Sequence, residues 1–137
     1  RQGMFVTAVY ALLDMEANEL TYVNAGHNPP LWVKGNGEVQ RLTRTAIALG
    51  VVTGEPVEQR TINFEIGDNL LLYTDGLTES FNTDGVFFGE ERLIEAIKAC
   101  DCGSAHDLLD VVEGALLNFV QDMPPADDLT MLTLRRV

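Results

Sequence analysis

The hydrophobic pattern of this 137-residue chain changes its period once, close to residue 90. Before that point, short runs of apolar and β-branched residues, several of them alternating with polar residues, are separated by Gly, Pro, Asn and Asp. Beyond it, apolar residues recur every three or four positions as far as Pro124 and Pro125. Alternation is typical of strands, whereas recurrence at 3.6 residues is typical of amphipathic helices. The order therefore predicts antiparallel strands, then two helices and a closing strand, which is an α+β fold.

Turn and cap signals set the bounds of the predicted elements. The stretch 35–37 (GNG) is typical of a tight hairpin, Ser104 is a good helix N-cap, and 43–56 is expected to be a loop. Two uncharged segments, 5–13 and 70–74, are expected to be buried strands. The other strands are expected at 19–25, 31–34, 38–42, 57–66 and 129–134, and the helices at 90–100 and 105–121. Each helix has one apolar stripe, so we expect each to cover one sheet face.

The charge balance narrows the range of partners. The chain has 9 basic and 21 acidic residues, for a net charge of -12, which disfavours nucleic acid and anionic membranes as partners. No apolar run is long enough to span a bilayer, and we find no signal peptide. Cys100 and Cys102 are too few for a disulfide framework, so we interpret them as reduced thiols of a cytoplasmic protein.

Two groups of aspartates stand at the ends of predicted elements. Asp75 directly follows the segment 70–74, and Asp127 and Asp128 precede the last strand. A carboxylate held at the end of a buried strand is costly to leave unpaired, and a divalent cation would pair with it. Oxygen ligands without a Cys or His cluster favour magnesium or manganese over zinc. The alternative is that both places are ordinary turns or loops, and these residues alone do not decide between the two.

Five segments, taken in order, resemble one family. They are 4–8 (MFVTA), 22–30 (YVNAGHNPP), 67–79 (GDNLLLYTDGLTE), 88–93 (FGEERL) and 126–130 (ADDLT). Together they resemble the SpoIIE-like branch of the metal-dependent serine/threonine protein phosphatases (PPM, type 2C-like). The resemblance spans essentially the whole chain. It implies an antiparallel β-sandwich flanked by helices (αββα), of which residues 1–137 would be the C-terminal part of a single domain, incomplete at the N-terminus.

The resemblance also implies a metal site. Asp75 and Asp127 would share one ion of a binuclear Mn2+ or Mg2+ centre, whose ions lower the pKa of a water that attacks phosphorus. Asp128 is an adjacent candidate, although related phosphatases often have asparagine there. Gly76 would let the backbone pass close to the ion. No residue beyond the metal ligands is expected to be catalytic.

Four further residues of these segments are candidates for supporting the site. Thr7 and Asn24 would support it from neighbouring strands. His27 has two interpretations, a scaffold for its loop or a participant in proton transfer, and the first is favoured. Glu79 would either orient water or cap the chain after Asp75, and capping is favoured.

The resemblance implies a phosphoprotein substrate, such as an anti-anti-sigma factor, and a sensor or receiver domain before residue 1. The family's N-terminal Asp-x-x-Gly-His-Gly-type motif, whose aspartate bridges both ions, is not found in this sequence, which begins Arg1-Gln2-Gly3. We therefore expect an excised fragment or processed product that binds metal weakly and turns over poorly. The alternative is a degenerate phosphatase-like scaffold that binds a signalling partner. A nucleotide-binding domain is disfavoured because there is no Gly-rich phosphate loop.

Overall fold

Across residues 3–125 and 127–137, which the computed structural model describes, seven strands form two antiparallel sheets. The strands are β1 (Ala8–Asp14), β2 (Glu19–Ala25), β3 (Leu31–Val33), β4 (Val39–Arg41), β5 (Arg60–Asn63), β6 (Asn69–Tyr73) and β7 (Met131–Arg135). Helices α1 (Asp75–Thr78), α2 (Gly89–Lys98) and α3 (Ala105–Val120) lie between β6 and β7. The sheet orders are β1-β2-β5 and β4-β3-β6-β7. The predicted α+β class and antiparallel sandwich are confirmed.

Alternation along β3 and β6 divides the core into two clusters. Leu31 and Leu71 are fully buried towards the helices, whereas Trp32 and Leu70 face the other sheet. The helix-side cluster also contains Leu93 and Ile97 of α2 and Leu108, Val112, Leu116 and Val120 of α3. The inter-sheet cluster adds Leu20, Tyr22, Leu42 and Phe64. Both helices therefore cover one face of the four-stranded sheet, as their single apolar stripes predict.

The prediction that the first strand is buried is wrong. It begins at Ala8 rather than residue 5, and Tyr10 and Leu12 are 68% and 60% exposed. The strand is apolar, but it lies at the edge of the three-stranded sheet. Within the part of the chain that the structure describes, α2 and α3 pack on the other sheet, so no helix covers these side chains.

Local signals placed several elements correctly. Ser104 caps α3 by accepting a hydrogen bond from the amide of Asp107 at 3.0 Å. The GNG hairpin also forms, with Gly37 at a φ of 90°. The short helix α1 was not predicted, because a four-residue turn leaves no periodic pattern to detect. The strand expected at 57–66 is limited to β5, the four residues Arg60–Asn63.

The cysteines also differ from expectation. Cys100 and Cys102 are joined as a disulfide rather than held as reduced thiols. The bend of the chain between α2 and α3 brings their Cα atoms to 5.2 Å, within the usual range for such a bond. No helix among the described residues is long and apolar enough to cross a membrane.

Candidate metal centre

The end of β6 and the segment before β7 are joined by three hydrogen bonds. The amide of Thr74 donates to the carbonyl oxygen of Thr130 at 3.1 Å, and the amide of Thr130 donates to Thr74 Oγ1 at 3.1 Å. The Thr74 hydroxyl also donates to the carbonyl oxygen of Asp128 at 3.2 Å. These contacts bring the stretches that contain Asp75 and Asp127 together, although they are far apart in the sequence.

Gly76 is where the two stretches come closest. A Cβ atom at this position would lie 2.2 Å from the carbonyl oxygen of Asp128 and 2.7 Å from its carbonyl carbon. No side chain fits into that space, so only glycine allows the backbone of 127–129 to pass over α1. The close approach at Gly76 is made to protein backbone, and the predicted approach of Gly76 to a metal ion stays a prediction.

Asp75 is the first residue of α1, and its carboxylate is exposed. Its Oδ1 atom accepts a hydrogen bond from Asn28 Nδ2 at 2.6 Å. Within residues 3–125 and 127–137, no lysine, arginine or histidine forms an ion pair with it. Among the residues that the structure describes, this carboxylate thus has one neutral donor and no cationic partner.

Asp127 and Asp128 lie on the exposed segment that leads into β7. Asp127 Oδ1 accepts a hydrogen bond from the amide of Asp128 at 2.7 Å, so this carboxylate stabilises its own turn. A cavity of about 320 Å³ is lined by Asp127, Gly76, Glu79 and two phenylalanines. Asp127 and Glu79 therefore face one cavity beside α1. Ala126, which belongs to the ADDLT segment, lies outside the described residues.

The loop after β2 is tied to the same end of β6 through His27. The carbonyl oxygen of Tyr73 can only accept, so His27 Nε2 donates to it, at 3.2 Å. In the neutral ring, Nδ1 then accepts from the Thr7 hydroxyl at 2.9 Å. The His27 amide donates to Oδ1 of the fully buried Asn24 at 2.9 Å. With both ring nitrogens engaged, the scaffold interpretation of His27 is the one that the geometry favours.

Thr7, Asn24 and His27 therefore form one hydrogen-bonded chain that ends two residues before Asp75. Glu79 follows α1, and its amide donates to the carbonyl oxygen of Asp75 at 2.8 Å. This backbone hydrogen bond ends α1 and involves no side-chain atom of Glu79. The roles of these residues in a working site stay predictions.

Sequence reasoning missed Asn28 and Thr74. Asn28 lies inside the segment 22–30, but a neutral amide beside two prolines gives no sign of a partner 47 positions away. Thr74 directly follows a buried strand, and a hydroxyl at the end of a strand usually faces solvent. Only the pairing of β6 with β3 on one side and with β7 on the other shows what Asn28 and Thr74 contact.

Tyr73, the last residue of β6, is buried among helix-side residues. Its hydroxyl donates to Glu90 Oε2 at 3.3 Å, and Glu90 is also paired with Arg41. Burial, followed by the charge of the Glu90 carboxylate, raises the pKa of Tyr73 well above its ordinary value. Tyr73 therefore stays a protonated donor that connects β6 to α2.

The donors available here fit an oxygen-preferring divalent cation. Asp75, Asp127 and Asp128 are carboxylates without basic partners among the described residues, and such ligands suit Mg2+ or Mn2+. In the part of the chain that the structure describes, however, no three His, Cys, Asp or Glu residues come together as a complete ligand group. The described residues therefore offer carboxylates of the right kind without forming a complete ligand group.

The antiparallel sheets and their helices match solved PP2C phosphatase domains, which defines the class of fold. One match is the phosphatase domain of SpoIIE from Bacillus subtilis, solved after presoaking with manganese. Its TM-score is 0.72 at 17% identity, over 95% of this chain and 56% of that one. The family model described as stage II sporulation protein E matches residues 1–137. The chain belongs to the SpoIIE family.

Two curated relatives match along nearly the whole chain. It is 31% identical over 135 residues to phosphoserine phosphatase RsbU of Bacillus subtilis strain 168, with 98% of this chain covered. It is 29% identical over 134 residues to protein IcfG of Synechocystis sp.. The chain spans 40% of the length of RsbU and 21% of that of IcfG. It therefore corresponds to less than half of either relative.

Proposed function

We propose that this chain is the C-terminal part of a metal-dependent protein serine/threonine phosphatase domain. It would act, within the complete domain, on phosphoserine or phosphothreonine of a regulatory protein such as an anti-anti-sigma factor. The observation that carries the proposal is the junction of Thr74 with Thr130, which brings the Asp75 and Asp127 stretches together. The phosphatase class of its relatives supports the same conclusion.

Asp75 and Asp127, with Asp128 beside them, would hold Mn2+ or Mg2+ at this junction. When bound, the metal supplies positive charge for the phosphate and a water of lowered pKa as nucleophile. The chain's own residues do the positioning. Gly76 lets the two stretches approach, while the hydrogen-bonded chain from Thr7 through His27 holds the loop after β2 against β6.

Charge explains why a cation is needed. A phosphoserine side chain carries a charge close to -2 at neutral pH, and the chain itself carries -12. The exposed carboxylates of Asp75, Asp127 and Asp128 have no basic partner among residues 3–125 and 127–137. Without a metal ion, this surface would repel the substrate. A binuclear centre in the complete domain would reverse the sign of the site.

A second candidate is a phosphatase-like scaffold that binds a signalling partner without chemistry. One observation favours it: the described residues do not gather three ligands of the usual kinds. The two candidates differ in metal binding, because a scaffold has no use for a cation at Asp75. A sensor or receiver domain elsewhere in the parent protein and a cytoplasmic location belong to the same proposal and rest on the family resemblance.

The test is hydrolysis of a phosphoserine peptide by the 137-residue chain with and without Mn2+. We expect slow turnover that requires Mn2+ and disappears in the variants D75N and D127N. The exposed Asp14, far from the junction in the β1–β2 turn, provides the matched control D14N, which should leave turnover unchanged. Turnover equal to that of a complete phosphatase domain would contradict the expected weakness. Metal-independent turnover, or none together with no Mn2+ binding, would favour the alternatives.

A further inference from the structure

We propose that Asn28 is a positioning residue that fixes the Asp75 carboxylate for a divalent cation. This inference rests on the proposed function, since it assigns a role within the same site. The carrying observation is the 2.6 Å hydrogen bond from Asn28 Nδ2 to Asp75 Oδ1, made between residues 47 positions apart. It is the one side-chain hydrogen bond to the Asp75 carboxylate found among the described residues.

The backbone on the C-terminal side of Asn28 is rigid. Pro29 follows directly and restricts Asn28 to extended backbone conformations. Pro30 is buried, and its carbonyl oxygen accepts a hydrogen bond from the amide of Leu42 at 2.8 Å. The start of β3 is thereby anchored, and Asn28 leaves it in a fixed direction.

The N-terminal side is tied as well. His27 binds the carbonyl oxygen of Tyr73 through Nε2 at 3.2 Å, while its amide donates to Asn24 at 2.9 Å. The loop therefore meets the end of β6 at two successive places, His27 with Tyr73 and Asn28 with Asp75. Because the backbone is held on both sides of Asn28, little backbone freedom is lost when its side chain bonds to the carboxylate.

The choice of an uncharged donor suits a metal ligand. The amide occupies Oδ1, and Oδ2 has no hydrogen-bond partner among the described residues, so the carboxylate is oriented and keeps one oxygen for a cation. A lysine or arginine in its place would neutralise Asp75 and compete with the metal. Carboxylates that bind metals are generally held by such outer hydrogen bonds, and their loss costs about 10- to 100-fold in metal affinity.

A purely structural role for Asn28 makes a different prediction. If the hydrogen bond only held the loop in place, its loss would lower the stability of the metal-free chain. Metal affinity would then stay unchanged, because it would depend on Asp75 and not on Asn28. If it positions the carboxylate, metal affinity falls while the metal-free chain keeps its melting temperature. Binding and stability measured on the same variants therefore separate the two roles.

The experiment is titration of the 137-residue chain with Mn2+ by calorimetry, with thermal unfolding recorded without metal. We expect N28A to weaken Mn2+ binding about 10- to 100-fold, with little change in melting temperature. The matched control is N36A: Asn36 Oδ1 caps the exposed β3–β4 turn through the amide of Glu38, away from the junction. In a D75N background, N28A should have no further effect. If N28A fails to fold, N28S, too short to reach the carboxylate, replaces it.

Each outcome decides a separate point. Mn2+ binding by N28A equal to that of the unsubstituted chain, with D75N abolishing it, overturns the role of Asn28 and leaves the proposed site standing. If N28A weakens Mn2+ binding and also lowers the melting temperature of the metal-free chain, the positioning role is overturned in favour of a structural role. Absence of Mn2+ binding by the unsubstituted chain, or binding indifferent to D75N, overturns both proposals.

A metal-free readout completes the test. The Asn28 side-chain amide protons should show, by NMR, the shift and slowed exchange of a donor to a carboxylate. D75N should reduce both effects, because an amide is a weaker acceptor than a carboxylate. Identical Asn28 signals in the two proteins would show that the hydrogen bond does not form in solution.

Discussion

The carbonyl oxygen of Asp128 lies 2.2 Å from the place where a Cβ atom on Gly76 would be. The contact is made by backbone on both sides, so neither partner can turn away as a flexible side chain would. The junction between α1 and the segment before β7 therefore depends on the absence of a single methyl group.

We expect G76A to destabilise the chain, because the added methyl forces the two backbones apart. Overpacking of this kind costs about 1–3 kcal/mol. We expect the loss for G76A at the upper end of this range, because the atoms that the methyl group would meet are backbone atoms that cannot move aside. Urea unfolding measures the change. Gly114 is the matched control: it lies in α3 with nothing within 4 Å of a Cβ, so G114A should stabilise the chain by up to about 1 kcal/mol. Equal unfolding midpoints for G76A and the unsubstituted chain would contradict the prediction.

Asp68 joins three parts of the sandwich and is 5% exposed. Its carboxylate accepts from Trp32 Nε1 at 2.9 Å, from the amide of Gly35 at 2.9 Å and from the amide of Glu65 at 3.0 Å. Because D68A leaves these donors without their acceptor, we expect a loss of about 3 kcal/mol in the free energy of unfolding.

The control for D68A is D14A, since among the described residues the exposed Asp14 accepts only from the neighbouring amides of Glu16 and Ala17. Its loss should cost about 1 kcal/mol or less. Chemical denaturation of both variants provides the comparison. If D68A and D14A lost similar amounts of stability, the bridging role of Asp68 would be wrong.

Tyr73 should make the stability of the fold sensitive to alkali. Its pKa is raised in the folded chain, by burial and by Glu90, so the unfolded chain releases this proton first as pH rises. The stabilisation that protonated Tyr73 contributes to the fold is complete below about pH 10. Above that pH it is lost, and the free energy of unfolding falls by up to about 1.4 kcal/mol per pH unit. Y73F cannot ionise, so its stability should fall less between pH 10 and 11. Parallel pH profiles of unfolding for the two proteins would disprove this.

The apolar outer face of the three-stranded sheet should promote self-association. Leu12 is 60% exposed on an edge strand, whereas Leu20 on β2 is 1% exposed in the inter-sheet core. We expect L12K to reduce association at high protein concentration, measured by sedimentation, with a change in stability within about 0.5 kcal/mol. L20A, by contrast, should cost about 2–5 kcal/mol. Unchanged association of L12K would locate the contact elsewhere.

The candidate ligands of the site and the supporting residues Thr7, Asn24 and His27 could be proposed from the sequence, whereas the contact made by Asn28 could not. Asp75 lies at the start of α1 and Asp127 lies in the segment that leads into β7, places that a sequence pattern can find, and five segments in order resemble one family. Asn28 could not be found this way, since its partner is 47 positions distant and neither residue type is unusual in its place. The sequence also offers no measure of how near the aspartates come, because that depends on how β7 pairs with β6.

What the sequence by itself determined are the features that depend on near neighbours. Periodicity specified most of the strands, the helices α2 and α3 and the Ser104 cap, because dihedral preferences and one-sided burial act over a few residues. Only the tertiary structure decided that Tyr10 and Leu12 face outward. An apolar strand has the same local pattern in the middle of a sheet as at its edge. Burial is a property of the neighbours that the topology supplies, and those neighbours come from distant parts of the chain.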